Sequence, residues 1–213
     1  MGVDYHLGLL YRLGMEPAEG LRSRKKARTK AAIEDAALEL FAEHGYEATT
    51  VEQIAARADV STTTFFRYFV SKGEVLVAPQ TEQVPVLQAA IRACPTDESD
   101  IEAVRRGVQA AWVAGADPDR TARIVRALIS SAAAMGMRDV VGSGWSDALS
   151  EALADRRRLA HTDPGCRLAA QVGLLVFARA LADWVGGRGR QPLAEAVDEA
   201  FALLGDLCRD WAT

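Results

Sequence analysis

At 213 residues with 49% apolar side chains, the chain is long enough for one or two packed domains. Abundant alanine, 7% aromatics and seven prolines favour helices over sheets, so an all-α fold is expected. A net charge of −4 excludes a molecule that is basic over its whole surface, and directs attention to how the charge is distributed.

Residues 1–21 hold four glycines and show no apolar periodicity, so they are set aside as an N-terminal extension. The first residues lack a basic start and a small-residue cleavage site, which makes a signal peptide a poor reading. The stretch RSRKKARTK follows at 22–30. Six of its nine residues are basic, which leaves −10 for the remainder. Such a block is either a solvated tail or an arm in which Arg24, Lys25, Lys26 and Arg28 reach phosphates or a minor groove.

A strong helix is predicted from Thr29. Ile33, Ala36, Ala37, Leu40 and Phe41 fall on one face and Glu34, Asp35, Glu39 and Glu43 on the other. Gly45 reads as the residue after its end, with Tyr46 folding back on Phe41. A second, short helix opens at a capping box, either Thr49 with Glu52 or Thr50 with Gln53, and ends near Asp59. Ser61 caps a third, running to about Tyr68, in which Phe65 and Phe69 share the buried face. Ser71 to Glu74 form a further capping box for helix four, which Pro79 and Pro85 bend or split. Two short helices joined by a tight turn behind a longer one make a helix-turn-helix.

Helix five is predicted over about 101–115, helix six from Asp117-Pro118 to Met135, and helix seven over about 146–159. The Gly142-Ser143-Gly144 stretch between the last two reads as a loop. Helix eight follows Asp163-Pro164 as far as Val185, and helix nine follows Gln191-Pro192 as far as about Trp211, giving about nine helices. The last two are apolar over more than one stripe, so each needs a partner besides its own bundle.

Chemistry is concentrated in the third helix. Small hydroxyl residues in its first turn, Ser61, Thr62 and Thr63, suit donation to phosphate and contact with a thymine methyl. Phe66, Arg67 and Tyr68 cannot all face the core with Phe65 and Phe69, so some point outward, where Arg67 and Tyr68 suit a phosphate backbone. The residues TTVEQIAARADVSTTTFFRYFVSK at 49–72 resemble the DNA-binding signature of the TetR family of transcriptional regulators. The likeness runs well over about 29–76, and beyond that only the number and order of helices agree.

That resemblance implies a homodimer with a reader at 22–70 and a ligand-binding and dimerisation domain at 71–213, paired through the helices near 163–185 and 191–211. It implies that Thr50 caps helix two and meets phosphate, that Ser61, Thr62 and Thr63 face the major groove, and that Tyr68 and Lys72 hold the DNA backbone. It also implies a palindromic operator in double-stranded DNA, repression, and release by a mostly apolar small-molecule effector. Three positions depart from the family pattern: Phe66 where Tyr is common, Asp59 where Gly is usual in the turn, and Gly73 in place of an acidic residue. Asp tolerates the left-handed conformation such a turn requires.

For the effector site the apolar candidates are Trp112, Met135, Met137, Trp145 and Phe177, each equally readable as core. Arg126 and Arg179 lie in otherwise apolar helices and need partners, either an anionic effector or an internal acid such as Asp183. No GxSxG, HExxH, P-loop or dinucleotide fingerprint is present and the three histidines are isolated, so neither an enzyme nor a metal or other cofactor is expected. Cys94, Cys166 and Cys208 are widely spaced and odd in number, which fits a reducing compartment. No uninterrupted apolar run reaches membrane-spanning length, so a cytoplasmic protein with no membrane partner is expected.

Overall fold

The computed structural model describes residues 18–130, 132–188 and 191–211; for residues 18–19, 132–143, 188 and 210–211 it describes the backbone alone. Among the described residues every regular element is helical. In chain order these are α1 (Ala18–His44), α2 (Val51–Arg57), α3 (Thr62–Tyr68), α4 (Glu74–Glu82), α5 (Val84–Ala93), α6 (Asp100–Val108), α7 (Pro118–Ile129), α8 (Ala132–Arg156), α9 (Pro164–Asp183) and α10 (Leu193–Trp211). Wider π-helical turns follow α6 over Gln109–Val113 and α9 from Trp184, the latter broken by a kink at Gly187, whose φ is 82°.

The local signals act as their chemistry requires. Gly45 ends α1 at φ +84°, and its N–H bonds the Phe41 carbonyl at 3.0 Å. Tyr46 then returns to Phe41, with ring centroids 5.1 Å apart. The capping box of α2 is Thr50 with Gln53, each side chain accepting from the other's backbone N–H. The Thr49 hydroxyl is instead buried, donating to the Gly45 carbonyl at 2.8 Å. Asp59 takes the left-handed turn at φ 54°. Ser61 Oγ accepts from Thr64 N–H at 3.1 Å and caps α3. The Glu74 N–H bonds Ser71 Oγ at 3.2 Å, while the Glu74 carboxylate reaches back to the Val70 N–H.

Two apolar clusters result. The first joins Ile33, Leu40 and Phe41 of α1 to Ile54 of α2, Phe65 of α3, Phe69, and Val75, Leu76 and Val77 of α4; Ile124 and Ala127 of α7 complete it. The second is the core of the C-terminal body, built by α5, α6, α8, α9 and α10 around Leu87, Ile91, Val104, Leu149, Leu153, Phe177 and Val197. The reader is thus seated on α7, and α4 leads from one cluster toward the other. Polar contacts repeat the connection: Arg120 of α7 meets Glu34 at 2.7 Å and also pairs with Asp35. Lys30 pairs with Glu82 at the end of α4.

Three boundaries differ from the sequence reading, and a fourth decides between the two outcomes it left open. Helix α1 begins by Ala18, not Thr29, because Lys, Arg and Ala are good helix formers and carry the helix back through the basic block. The helix with the two prolines is split at Gln83: Pro79 stays inside α4, and Pro85 sits in the first turn of α5. Helix α7 stops at Ile129, and α8 runs unbroken from Ala132 through residues 142–144. The expected loop there is helical because α8 packs extensively on α5 and α9, which outweighs the roughly 1 kcal/mol each glycine costs.

Segment Pro164–Gly187 is long and apolar enough, by length and composition, to cross a bilayer. The sequence reading found no uninterrupted apolar run of that length, and Arg167, Arg179 and Asp183 do interrupt this one. Here its small residues Ala169, Ala170, Gly173 and Ala180 are buried in the body core. A Cβ on Gly173 would lie 2.4 Å from Val104 Cγ1, so only glycine allows α6 and α9 to cross this closely.

Candidate nucleic-acid interface and cavity

Helix α3 divides its residues by face. Phe65 and Phe69 are buried at 0% and 1% exposure, and their rings meet at 5.8 Å. Ser61, Thr63, Phe66 and Arg67 are exposed on the other side, with Thr62 and Tyr68 half-buried between. The Arg67 guanidinium lies 5.4 Å from the Tyr68 ring centroid, within cation–π range. Phe66, 54% exposed, stands edge-on to Phe65, and Val70 beyond the helix is 80% exposed. Thr50 is exposed, and its hydroxyl oxygen accepts from the first turn of α2. Hydroxyls, an aromatic ring, an apolar methyl surface and a cation therefore share one side of the reader, a set that suits groove and backbone contact.

The basic residues sit differently from an extended arm. Arg24, Lys25 and Lys26 are exposed residues of α1 itself, ahead of the packed face that begins at Ile33. From Ala18 to that face is about 22 Å of helix at 1.5 Å per residue. The block is a charged rod, not a flexible strand.

Lys72 is engaged inside the reader. Its ammonium donates to the carbonyls of Tyr46 at 2.7 Å, Thr49 at 2.9 Å and Glu47 at 3.3 Å, and lies 4.4 Å from the Tyr46 ring centroid. The turn between α1 and α2 leaves those carbonyls without helical partners, and one side chain satisfies all three. Lys72, of which a phosphate contact is expected, here braces the turn between α1 and α2. Arg57 adds a second brace, bonding Glu43 at 2.8 Å and Glu39 at 3.2 Å.

Between the reader and the body lies a cavity of about 800 Å³. It is lined by Leu76, Val77, Pro79, Gln80 and Gln83 from α4 and its end, by Trp112 and neighbours, by Arg120, Ile124 and Leu128 of α7, and by Leu174, Phe177 and Leu181 of α9. Trp112 stacks on Phe177 at 5.5 Å and 19°, and meets Trp145 at 5.0 Å. Three expected residues, Trp112, Trp145 and Phe177, therefore meet in one wall.

Arg126 does not join them. Residues 120, 124 and 128 line the cavity at helical spacing, and Arg126 falls on the far, exposed side of α7. Arg179 is likewise outside, paired with Asp183 at 2.6 Å. The side chain of Met135 lies outside the described residues. The polar lining residues Gln80 and Arg120 were not singled out from sequence. For Arg120 a signal existed, since it stands one turn before Ile124; for Gln80 no local pattern distinguishes it.

A helix-turn-helix is thus seated on a cavity-bearing helical body. The profile of bacterial regulatory proteins of the tetR family matches residues 33–78. The chain is 45% identical over 85 residues to the HTH-type transcriptional regulator TcmR of Streptomyces glaucescens, an alignment covering 40% of this chain and 38% of TcmR. The chain thus spans well under half of TcmR's length. It is 26% identical over 194 residues to the putative mycofactocin biosynthesis transcriptional regulator MftR of Mycobacterium tuberculosis, covering 89% of this chain and 96% of that one. The fold is also that of the fatty acid degradation regulator FadR from Bacillus halodurans, with a TM-score of 0.56 at 24% identity over 83% of this chain and 94% of FadR.

Proposed function

We propose that this chain is a ligand-responsive repressor that binds a near-palindromic operator as a homodimer and leaves it when a mostly apolar effector fills the cavity. The observation that carries the reading is the position of α4. Its first turns, Val75, Leu76 and Val77, belong to the reader core, and Leu76, Val77, Pro79 and Gln80 line the cavity. A ligand that moves this helix alters the reader directly. Two states of the dimer, differing in the separation of their readers, then differ in affinity for paired half-sites.

In this reading Ser61, Thr62, Thr63 and Phe66 meet base edges, while Thr50, Arg67 and Tyr68 meet the backbone. Arg24, Lys25 and Lys26 add phosphate contacts from α1, and Lys72 acts by positioning. The reader comprises residues 22–70 and the ligand-binding and dimerisation part 71–213. Dimerisation is supported by leucines that α9 and α10 leave outward: Leu168, Leu175, Leu203 and Leu207 are 61–70% exposed. Apolar exposure in one region of a chain this size marks an interface. The names of TcmR and MftR as transcriptional regulators support the same conclusion.

The test is selection of bound duplexes from a random pool by the purified protein, repeated at two salt concentrations. A palindromic motif is expected, with affinity falling about 10³–10⁵-fold between 50 and 200 mM salt. A motif without two-fold symmetry, or none, overturns the reading.

A further inference from the structure

The cavity is not closed by the chain that forms it. Most of its lining is buried or half-buried, yet Gln171 and Leu175 of α9 line it and are exposed, Leu175 at 70%. A leucine with one side on a cavity and most of its surface in water marks the cavity's rim. A second group of exposed lining residues, Gln83, Ala110, Ala114, Gly115 and Asp117, lies where α4 and the turn after α6 end and in the loop before α7. The opening along α9 is therefore one of two.

The α9 rim coincides with the outward stripe of that helix. Leu168, Gln171 and Leu175 follow one another at three and four residues and all are exposed, so they share one face. Leu203 and Leu207 of α10 are exposed at 61% and 64%, and α10 packs beside α9. Leu175 belongs both to this set of outward leucines and to the cavity lining, so the apolar face and the rim are continuous. The lining is dominated by Leu, Val, Ala, Trp and Phe, which suits an apolar ligand. Such a ligand gains most when water is excluded from it, and small-molecule sites bury roughly 70–90% of what they hold. A groove left open along α9 falls short of that.

We propose that the effector site is shared by two subunits: a second copy of this chain, seated on the outward leucines of α9 and α10, closes the cavity along Gln171 and Leu175 and supplies its outer wall. The inference rests on the cavity being the effector site and on the dimer face given above. One subunit alone holds an apolar ligand poorly, so ligand binding and dimer formation strengthen each other by the same factor. A ligand in the closed site touches the contact between subunits on one side and Leu76, Val77 and Pro79 of α4 on the other. It thereby acts on the separation of the two readers and not on each reader independently.

The test uses the full chain and the uncharged fluorescent probe N-phenyl-1-naphthylamine, whose emission rises in an apolar site. Its affinity is read for the unaltered protein, for the double variant Leu203→Glu/Leu207→Glu, and for Thr121→Trp. The double variant changes two outward leucines, neither of which lines the cavity, and is expected to be monomeric with unchanged circular dichroism. It should bind the probe about tenfold more weakly than the unaltered dimer, as leaving roughly 60 Å² of apolar probe surface in water implies. Thr121→Trp fills the cavity from α7 and should lose binding while remaining dimeric. Should the double variant not fold, dilution of the unaltered protein gives the same answer. Probe affinity should fall across the concentration range in which sedimentation shows the dimer separating, and saturating probe should move that range to lower concentration. Monomers that bind as tightly as the dimer, by either route, overturn the shared site and leave the cavity as the effector site. A double variant that folds and stays dimeric overturns the dimer face and this proposal with it. Binding that survives Thr121→Trp, or no binding by the unaltered protein, overturns the cavity reading on which the proposal rests.

Discussion

At the scale of single residues, the reader depends on side chains that bond the backbone of its turns. Lys72 is the clearest case, one ammonium holding three carbonyls. Lys72→Met should lower stability by about 1–3 kcal/mol, because it leaves part-buried carbonyls unsatisfied. Urea unfolding followed by circular dichroism checks this, and an unchanged midpoint would show that water replaces the ammonium. Glu34 presents a different case. It is only 8% exposed, and burial pushes its carboxyl above the ordinary value despite the opposing charges of Lys30 and Arg120. The folded state therefore holds this proton more tightly than the unfolded chain does. Its contribution favours the fold at low pH and is lost as pH rises through the ordinary carboxylate range and then Glu34's own higher value. Glu34→Gln should flatten that part of the stability profile, measured by urea unfolding across the mildly acidic range.

At the scale of elements, what could be read from sequence was whatever is encoded within a few residues. The capping of α3 by Ser61, the glycine stop at Gly45 and the burial of Phe65 and Phe69 each depend on local chemistry, and each stands as expected. The left-handed Asp59 in place of glycine is a local matter too. Long-range packing was not legible. Nothing near Gly142 and Gly144 announces that α5 and α9 hold α8 helical, and nothing near Arg126 shows which face of α7 meets the cavity. Of the two capping boxes the sequence left open, Thr50 with Gln53 forms, and the Thr49 hydroxyl is a buried tie to Gly45. Gly173 is an element-scale constraint of the same long-range kind. Gly173→Ala drives a methyl into Val104 and should cost about 1–3 kcal/mol by overpacking, seen as a lower thermal midpoint. The companion change Val104→Ala should recover part of it.

At the scale of the whole molecule, the two apolar clusters are separate yet mechanically continuous through α4 and α7. The outward leucines of α9 and α10 place the expected dimer contact on the body, away from the reader. Leu175→Glu should leave the fold intact, since that side chain is 70% exposed, and shift the protein to monomer in analytical ultracentrifugation. Operator affinity should fall with it, because each half-site is then held alone. A dimer that persists would move the contact to another face.

The charged rod at the start of α1 has a consequence of its own. Arg22 and Lys26, Arg24 and Arg28, and Lys26 and Lys30 are each four residues apart, so every such pair repels along the helix surface. Dissolved ions relieve that repulsion, and so does a phosphate backbone laid against it. The same residues should therefore respond to ionic strength in opposite directions in the two forms of the protein. Added salt should tighten the free helix, raising its ellipticity, while loosening the complex. In the proposed complex, duplex DNA would act on this helix as a counterion with a shape.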